Sequence, residues 1–147
     1  MQTTLDTPAI SRNFTAILDS LSEKESIVIS RRMGLHGNKS TLQAIGDEFQ
    51  ITRERVRQIE ETAIRKIGRV TRSNNLFAIQ ELANNILAKA GGIMIRDDLV
   101  SMVAKEIATK DTSLLAIIEV LIQSDFNIEK SKPQLGARMY LDRKSVV

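Results

Sequence analysis

The chain has 147 residues, a formal net charge of +3, 42% hydrophobic residues and only 3% aromatic residues. This length allows one domain or two small ones, and the core must be aliphatic. The sequence contains no cysteine, which excludes a disulfide framework and a cysteine-based metal site and suits a cytoplasmic protein. No apolar run approaches the roughly 18 residues that a membrane-spanning helix needs.

The positive charge is unevenly placed. Residues 1–72 hold twelve Lys and Arg against nine Asp and Glu, whereas residues 73–147 hold nine of each. All the excess positive charge therefore lies in the first half, which favours nucleic-acid contact there.

The chain starts with helical signals. Residues 1–8 are expected to be frayed, and apolar residues at helical spacing predict a first helix over roughly residues 9–20. Ser22–Glu25 has the pattern of a capping box, so a second helix should begin there and stop before Gly34. Residues 36–39 are predicted to form a loop.

Two further helices are predicted on either side of a short turn. Ser40 begins a second capping-box pattern, Gln50-Ile51 forms the turn, and Thr52 is the expected N-cap of the later helix. This helix should end near Arg69. Its inward-facing residues are predicted to be Val56, Ile59, Ala63 and Ile67. Helices separated by such a turn are typical of a helix-turn-helix.

The polar segment Thr71–Asn75 is the predicted domain boundary. A helix closed by Gly91-Gly92 should follow, then a short strand at Ile93–Ile95 and a helix capped by Asp97. The last helix should be capped by Asp111 or Thr112.

Two strands, around Phe126–Ile128 and Met139–Leu141, are predicted at the end of the chain, joined by Lys130–Gly136. This element order is that of a winged helix. The predicted fold is mainly α, with a helix-turn-helix domain over residues 9–72 and a small winged-helix-like module over residues 76–147.

The outer face of the helix that Thr52 begins carries side chains suited to DNA. Arg can pair with guanine, Gln with adenine, and Glu can accept from cytosine, while a helix N-terminus attracts phosphate. The predicted DNA-binding residues are Thr52, Arg53, Glu54, Arg55, Arg57, Gln58, Glu61 and Arg65. The alternative is a solvated charged face with internal Glu–Arg pairs.

Residues 9–70, most clearly Ser22–Val70, resemble region 4 of primary-type bacterial sigma factors, which recognises the −35 promoter element. The resemblance is carried by Thr52–Glu60 (TRERVRQIE), flanked by Thr41–Gly46 (TLQAIG) and Ala63–Ile67 (AIRKI). By position it implies that Arg53, Glu54 and Gln58 read bases. It also implies that Arg55 and Arg57 lie near phosphates, or face activators and the polymerase.

The resemblance further implies docking on RNA polymerase, because in this family the helices before the motif grip the flap-tip helix of the β subunit. The corresponding residues are Ile17, Leu18, Leu21, Val28, Ile29 and Leu42. They are equally suitable as plain core residues. Two positions depart from the family pattern: Ala44 replaces a usual Glu, and Arg31 occupies a usually apolar position.

In the second half, the pattern around Gly92–Ile95, Leu121-Ile122, Phe126 and Tyr140-Leu141 is similar to that of a HARE-type winged helix. This family includes the N-terminal domain of the RNA polymerase delta subunit. The helix that would read DNA, Thr112–Ser124, has no Lys or Arg. Because phosphate neutralisation supplies most of the affinity for DNA, this half is expected to bind a protein partner instead.

The sequence therefore predicts a cytoplasmic, sigma-factor-like transcription regulator that binds promoter DNA and core RNA polymerase. It has few aromatic residues, so we expect no strand-melting sigma domain. Neither an enzymatic site, a metal site nor a cofactor is expected. The alternatives are an anti-sigma or phage appropriator protein with little DNA reading, a dimeric helix-turn-helix repressor, and the C-terminal part of a longer sigma factor.

Overall fold

The structure is a computed structural model that describes residues 7–109, 111–129 and 138–143. It is mainly α, as predicted. The helices are α1 (Thr7–Asp19), α2 (Glu23–Met33), α3 (Leu42–Phe49), α4 (Arg53–Thr71), α5 (Phe77–Lys89), α6 (Arg96–Ile107) and α7 (Thr112–Asp125). The strands are β1 (Ile93–Ile95), β2 (Phe126–Glu129) and β3 (Arg138–Arg143). Within the described residues, no helix is both long and apolar enough to cross a membrane.

The first two helices begin and end close to the predicted residues. Helix α1 starts at Thr7, so residues 7–8 are helical and their predicted fraying is wrong, whereas residues 1–6 lie outside the described residues. The Ser22 hydroxyl accepts from the amide of Glu25, and the Glu25 carboxylate accepts from the amide of Ser22. This confirms the capping box. Helix α2 then ends at Gly34, whose φ of 69° is left-handed.

The second predicted capping box is wrong by one residue. Thr41, and not Ser40, is the N-cap of α3, and its hydroxyl accepts from the amide of Ala44 at 3.0 Å. The backbone of Ser40 is already engaged with α2, since its amide donates to the carbonyl of Arg31. Its carbonyl accepts from the Arg32 guanidinium. These bonds keep Ser40 in the loop before the helix.

The second half has the element order predicted for a winged helix. Its three described strands form an antiparallel sheet of order β1-β3-β2, in which Ile93 pairs with Tyr140 and Ile128 pairs with Met139. The predicted connection between β2 and β3, Lys130–Gly136, lies outside the described residues.

One of the two predicted caps in this half is wrong. Helix α6 follows β1 directly, with Ile95 in the N-cap position, so Asp97 lies inside the first turn. There its negatively charged carboxylate still interacts favourably with the positive end of the helix dipole. The other prediction is confirmed, because the Asp111 carboxylate accepts from the amide of Ser113 at 2.9 Å before α7.

The main hydrophobic core joins both sides of the predicted boundary. It contains Ile10, Phe14 and Ile17 of α1 together with residues of α5, α6 and α7. Thr71 and Leu76, on either side of the connection between α4 and α5, are fully buried. The two halves therefore pack against each other, and their division into separate modules stays a prediction.

Glu25 gives the N-terminal domain a predicted dependence on pH. Burial opposes its charge, but the Ser22 amide and the Lys66 ammonium, 2.9 Å away, together hold the pKa of Glu25 below its ordinary value of 4.5. Since the pKa is lower in the folded chain, the stabilisation is complete above the ordinary value and is lost as the pH falls through the folded pKa.

Replacing Glu25 by Gln should therefore lower the free energy of unfolding at neutral pH and have a smaller effect at an acidic pH well below 4.5. Chemical denaturation at both pH values measures this difference. Glu23→Gln is the matched control, because Glu23 is exposed in the same helical turn. Equal pH dependence in the two variants would contradict the assignment.

Candidate nucleic-acid interface

The tight turn between α3 and α4 depends on one residue with a left-handed backbone conformation and on one glycine. Gln50 closes α3 with a φ of 56°, and its amide donates to the carbonyl of Gly46. A Cβ atom at Gly46 would lie 2.7 Å from the carbonyl oxygen of Ile51, so glycine is needed for the turn to pass this close. The Thr52 hydroxyl then accepts from the amide of Arg55 at 3.1 Å and caps α4. The predicted turn and N-cap are confirmed.

A small core between α2, α3 and α4 fixes which side of α4 faces outward. Val56 and Ile59 of α4 pack with Val28 of α2 and Ile45 of α3. The partly buried side chains that close this cluster are Leu42, Phe49 and Ile51. Because α4 buries this stripe, the residues on its opposite side face solvent.

The predicted DNA-binding residues all lie on the exposed side of the domain. They occupy the N-cap and positions between Arg53 and Arg65 of α4. The exposed residues of this set are Thr52, Arg53, Glu54, Arg55, Arg57, Gln58, Glu61 and Arg65. The structure thus brings every member of the set to one helix, while their role in binding stays a prediction.

Several of these side chains pair with one another. The Arg57 guanidinium donates to Glu54 at 2.6 Å and 2.9 Å and to Glu61 at 2.5 Å. The hydrogen bond from Arg57 lowers the pKa of Glu54, and Glu54 in turn raises the pKa of Arg57. Arg55 donates to the Gln58 amide oxygen at 3.3 Å. The internal pairs that the alternative interpretation expects are therefore present.

These pairs do not exclude DNA contact, because they lie in solvent, where ion pairs contribute little and exchange partners readily. Arg53 differs from Arg55 and Arg57, since no hydrogen bond or salt bridge of its guanidinium occurs among the described residues. It stands at the first position of α4, beside the capped N-terminus. A guanidinium in this position is available to a base edge or a phosphate.

Polar contacts join α2 to the helix-turn-helix, and the sequence did not predict them. Arg32 of α2 hydrogen-bonds Glu60 of α4 through its Nε atom and the carbonyl of Ser40 through Nη1. Arg31 pairs with Glu48 and lies 5.4 Å from the centroid of the Phe49 ring. The departure from the family pattern at Arg31 thus has a structural role. Spacing along the sequence gives no signal for pairs that join separate helices.

The residues predicted to bind polymerase lie in two different clusters and are largely covered. Ile17, Leu21 and Ile29 are buried in the main core, and Leu18 packs against it. Val28 is buried, and Leu42 partly buried, in the small core beneath α4. The structure shows their core role, and their contact with polymerase stays a prediction.

Helix α7 shares the main core with part of this set, Ile17, Leu21 and Ile29. It contacts α1, α2 and α4 as well as α5 and α6. Its buried residues occupy a broad face of the helix: Leu114, Ile117, Ile118, Val120, Leu121, Ile122, Ser124 and Asp125. A helix with such a wide apolar face normally packs between other elements, and the apolar composition of Thr112–Asp125 was the signal that could have predicted this packing.

The fold and the exposed helix face define a helix-turn-helix domain, and comparison with known proteins specifies its type. Residues 17–68 match the family model of sigma-70, region 4. This segment is therefore similar to region 4 of sigma-70 factors, as the resemblance in the sequence implied.

Sigma factors from several organisms are similar over this same segment. RNA polymerase sigma factor RpoD of Helicobacter pylori (strain ATCC 700392 / 26695) is 48% identical over 65 residues, which cover 40% of this chain and 10% of the relative. RNA polymerase sigma factor SigA of Bacillus sp is 46% identical over 61 residues, 41% of this chain and 16% of the relative. RNA polymerase sigma factor sigB of Arabidopsis thaliana is 48% identical over 61 residues, 41% of this chain and 11% of the relative.

The similarity therefore covers a small part of each relative, between 10% and 16% in these three. It also leaves residues 69–147 outside the matched family model. A comparison with solved structures found no match. The HARE-type resemblance of the second half stays a prediction.

Proposed function

We propose that this chain acts as a sigma-factor-like transcription regulator in the cytoplasm, binding −35-like promoter DNA through α4 and docking on RNA polymerase. One observation carries the proposal: Arg53, Glu54 and Gln58 are exposed together at the capped start of α4, inside a segment that matches sigma-70, region 4. The similar proteins described above, all RNA polymerase sigma factors, support the same class of partner.

In the proposed complex, the N-terminal end of α4 enters the major groove. Arg53 donates to a guanine, Gln58 pairs with an adenine, and Glu54 accepts from a cytosine amino group. Arg55 and Arg65, which are exposed beside these base-reading residues, neutralise phosphates. Arg57 either keeps its bonds to Glu54 and Glu61 or exchanges one of them for a phosphate.

The docking part of the proposal concerns apolar residues of α1 and α2. Most of these residues are buried in the structure, and Leu18 is only partly buried. An apolar helix of the polymerase β subunit, the flap-tip helix, is the proposed partner.

Retention on core RNA polymerase tests the docking part. The tagged 147-residue chain is mixed with bacterial core polymerase, with and without an excess of a primary sigma factor. We expect the chain to be retained and the sigma factor to displace it. Retention that sigma does not reduce would place the chain elsewhere on the polymerase and refute the proposed docking.

A further inference from the structure

The C-terminal helix α7 occupies the side of the domain that the proposed function assigns to polymerase. Ile17 and Leu21 of α1 and Ile29 of α2 share one core with Ile117 and Leu121 of α7. We propose that α7 is an intramolecular competitor for this surface, so that RNA polymerase and the C-terminal half bind the domain alternately. This inference rests on the proposed function, because it concerns the regulation of the same docking site.

The contact between α4 and α7 is a close fit of backbones. A Cβ atom at Gly68 of α4 would lie 2.8 Å from the carbonyl oxygen of Ser124 and 3.3 Å from its Cβ atom. Within a helix glycine is unfavourable relative to alanine, so its use here is explained by the approach of α7. The Gln80 side chain of α5 donates to the carbonyl of Leu121 and to the Ser124 hydroxyl and fixes the same end of α7.

At one edge of the contact between α4 and α7, the side chains are polar and leave a cleft between the helices. A cleft of about 230 Å³ separates α2 and α4 from the start of α6 and from α7. Lys39, in the loop after α2, reaches across to Glu119 of α7 at 3.3 Å, and Arg96 lies 3.8 Å from the same carboxylate. The Nε atom of Arg96 is buried and makes no hydrogen bond among the described residues, and the Asp97 carboxylate lies 3.7 Å away.

These features distinguish the contact between α7 and the N-terminal domain from an ordinary core. Ion pairs that are partly exposed contribute little, and a buried donor without a hydrogen bond costs stability. This contact therefore has an apolar centre and a polar edge whose ion pairs contribute little stability. Helix α7 can separate from the domain along that edge. Separation exposes an apolar surface that a polymerase helix can cover instead.

The competition has a measurable consequence. If only the open form binds polymerase, the apparent dissociation constant equals the intrinsic value divided by the fraction of open chains. A change that loosens α7 without touching the docking surface must then tighten polymerase binding.

Gly68→Ala is such a change. The added methyl group favours the helical state of α4 but collides with the backbone of α7 at Ser124. We expect the variant of the 147-residue chain to bind core polymerase roughly fivefold or more tightly than the original chain, with faster amide hydrogen exchange in α7. Gly37→Ala is the matched control, since a Cβ atom there meets nothing within 4 Å.

A charge series at the polar edge provides a second, milder test. Glu119→Lys removes the shared acceptor and places a third cation beside Lys39 and Arg96. This variant should also bind polymerase more tightly, and Lys39→Glu combined with Glu119→Lys should return the affinity toward the original value. None of these positions lies on the exposed face of α4.

The outcomes separate this inference from the proposed function. Tighter binding by Gly68→Ala and Glu119→Lys, with no change in Gly37→Ala, supports the competition. Equal, measurable binding by all variants overturns the competition and leaves polymerase docking intact. If hydrogen exchange shows that α7 has opened in Gly68→Ala and polymerase still does not bind, both the docking and the competition are refuted.

Discussion

Truncating Ile67 to alanine should lower the free energy of unfolding by about 2–5 kcal/mol, because a buried aliphatic side chain is lost and a cavity remains. Ile67 lies on α4, is fully buried, and belongs to the core that also contains residues of α1, α5, α6 and α7. We therefore expect one cooperative transition that shifts as a whole when followed by circular dichroism during denaturation.

Ile93→Ala is the control for this substitution. Ile93 is 48% exposed on the edge strand β1, so the same chemical change there should cost less than about 1 kcal/mol. Two separate transitions, of which Ile67→Ala shifts only one, would contradict the shared core. That result would instead favour independent modules divided at Thr71–Asn75.

The second large effect is expected at Arg53. Replacing it by alanine should cost about 1–3 kcal/mol of binding to a −35-like duplex and relax the choice of base at one position. Its guanidinium makes no hydrogen bond or salt bridge within the part of the chain that the structure describes, so the fold should be unchanged. Fluorescence anisotropy with matched and scrambled duplexes, at one fixed salt concentration, measures the loss.

Two other arginines serve as references for this measurement. Arg65→Ala should weaken binding to matched and scrambled DNA alike and reduce the salt dependence, as expected of a phosphate contact. Arg12→Ala, on the exposed side of α1, should change neither. A loss at Arg53 that is equal on matched and scrambled duplexes would refute its base-reading role.

Local signals in the sequence predicted the helix-turn-helix well. The caps at Ser22 and Thr52 and the turn at Gln50 depend on residues a few positions apart, and all three occur as predicted. The outward face of α4 follows from the helical spacing of its apolar residues. The misplaced caps at Ser40 and Asp97 have a common cause, because contacts with a neighbouring element decided where each helix begins.

The packing of the two halves could not be predicted in the same way. Lys39 and Glu119 are eighty positions apart, and their contact depends on the tertiary arrangement of α7. The residues assigned to polymerase from the family resemblance are apolar at helical spacing, a pattern that a core and a docking surface share. Only the structure shows that α7 covers part of that set.

The affinity of the 147-residue chain for a duplex carrying a −35-like element, compared with a scrambled duplex of the same composition, tests the central claim most directly. We predict clear preference for the matched duplex, with Arg53→Ala removing most of the difference. Equal affinity for the two duplexes at near-physiological salt would show that the exposed face of α4 reads no sequence, and would contradict the proposed function.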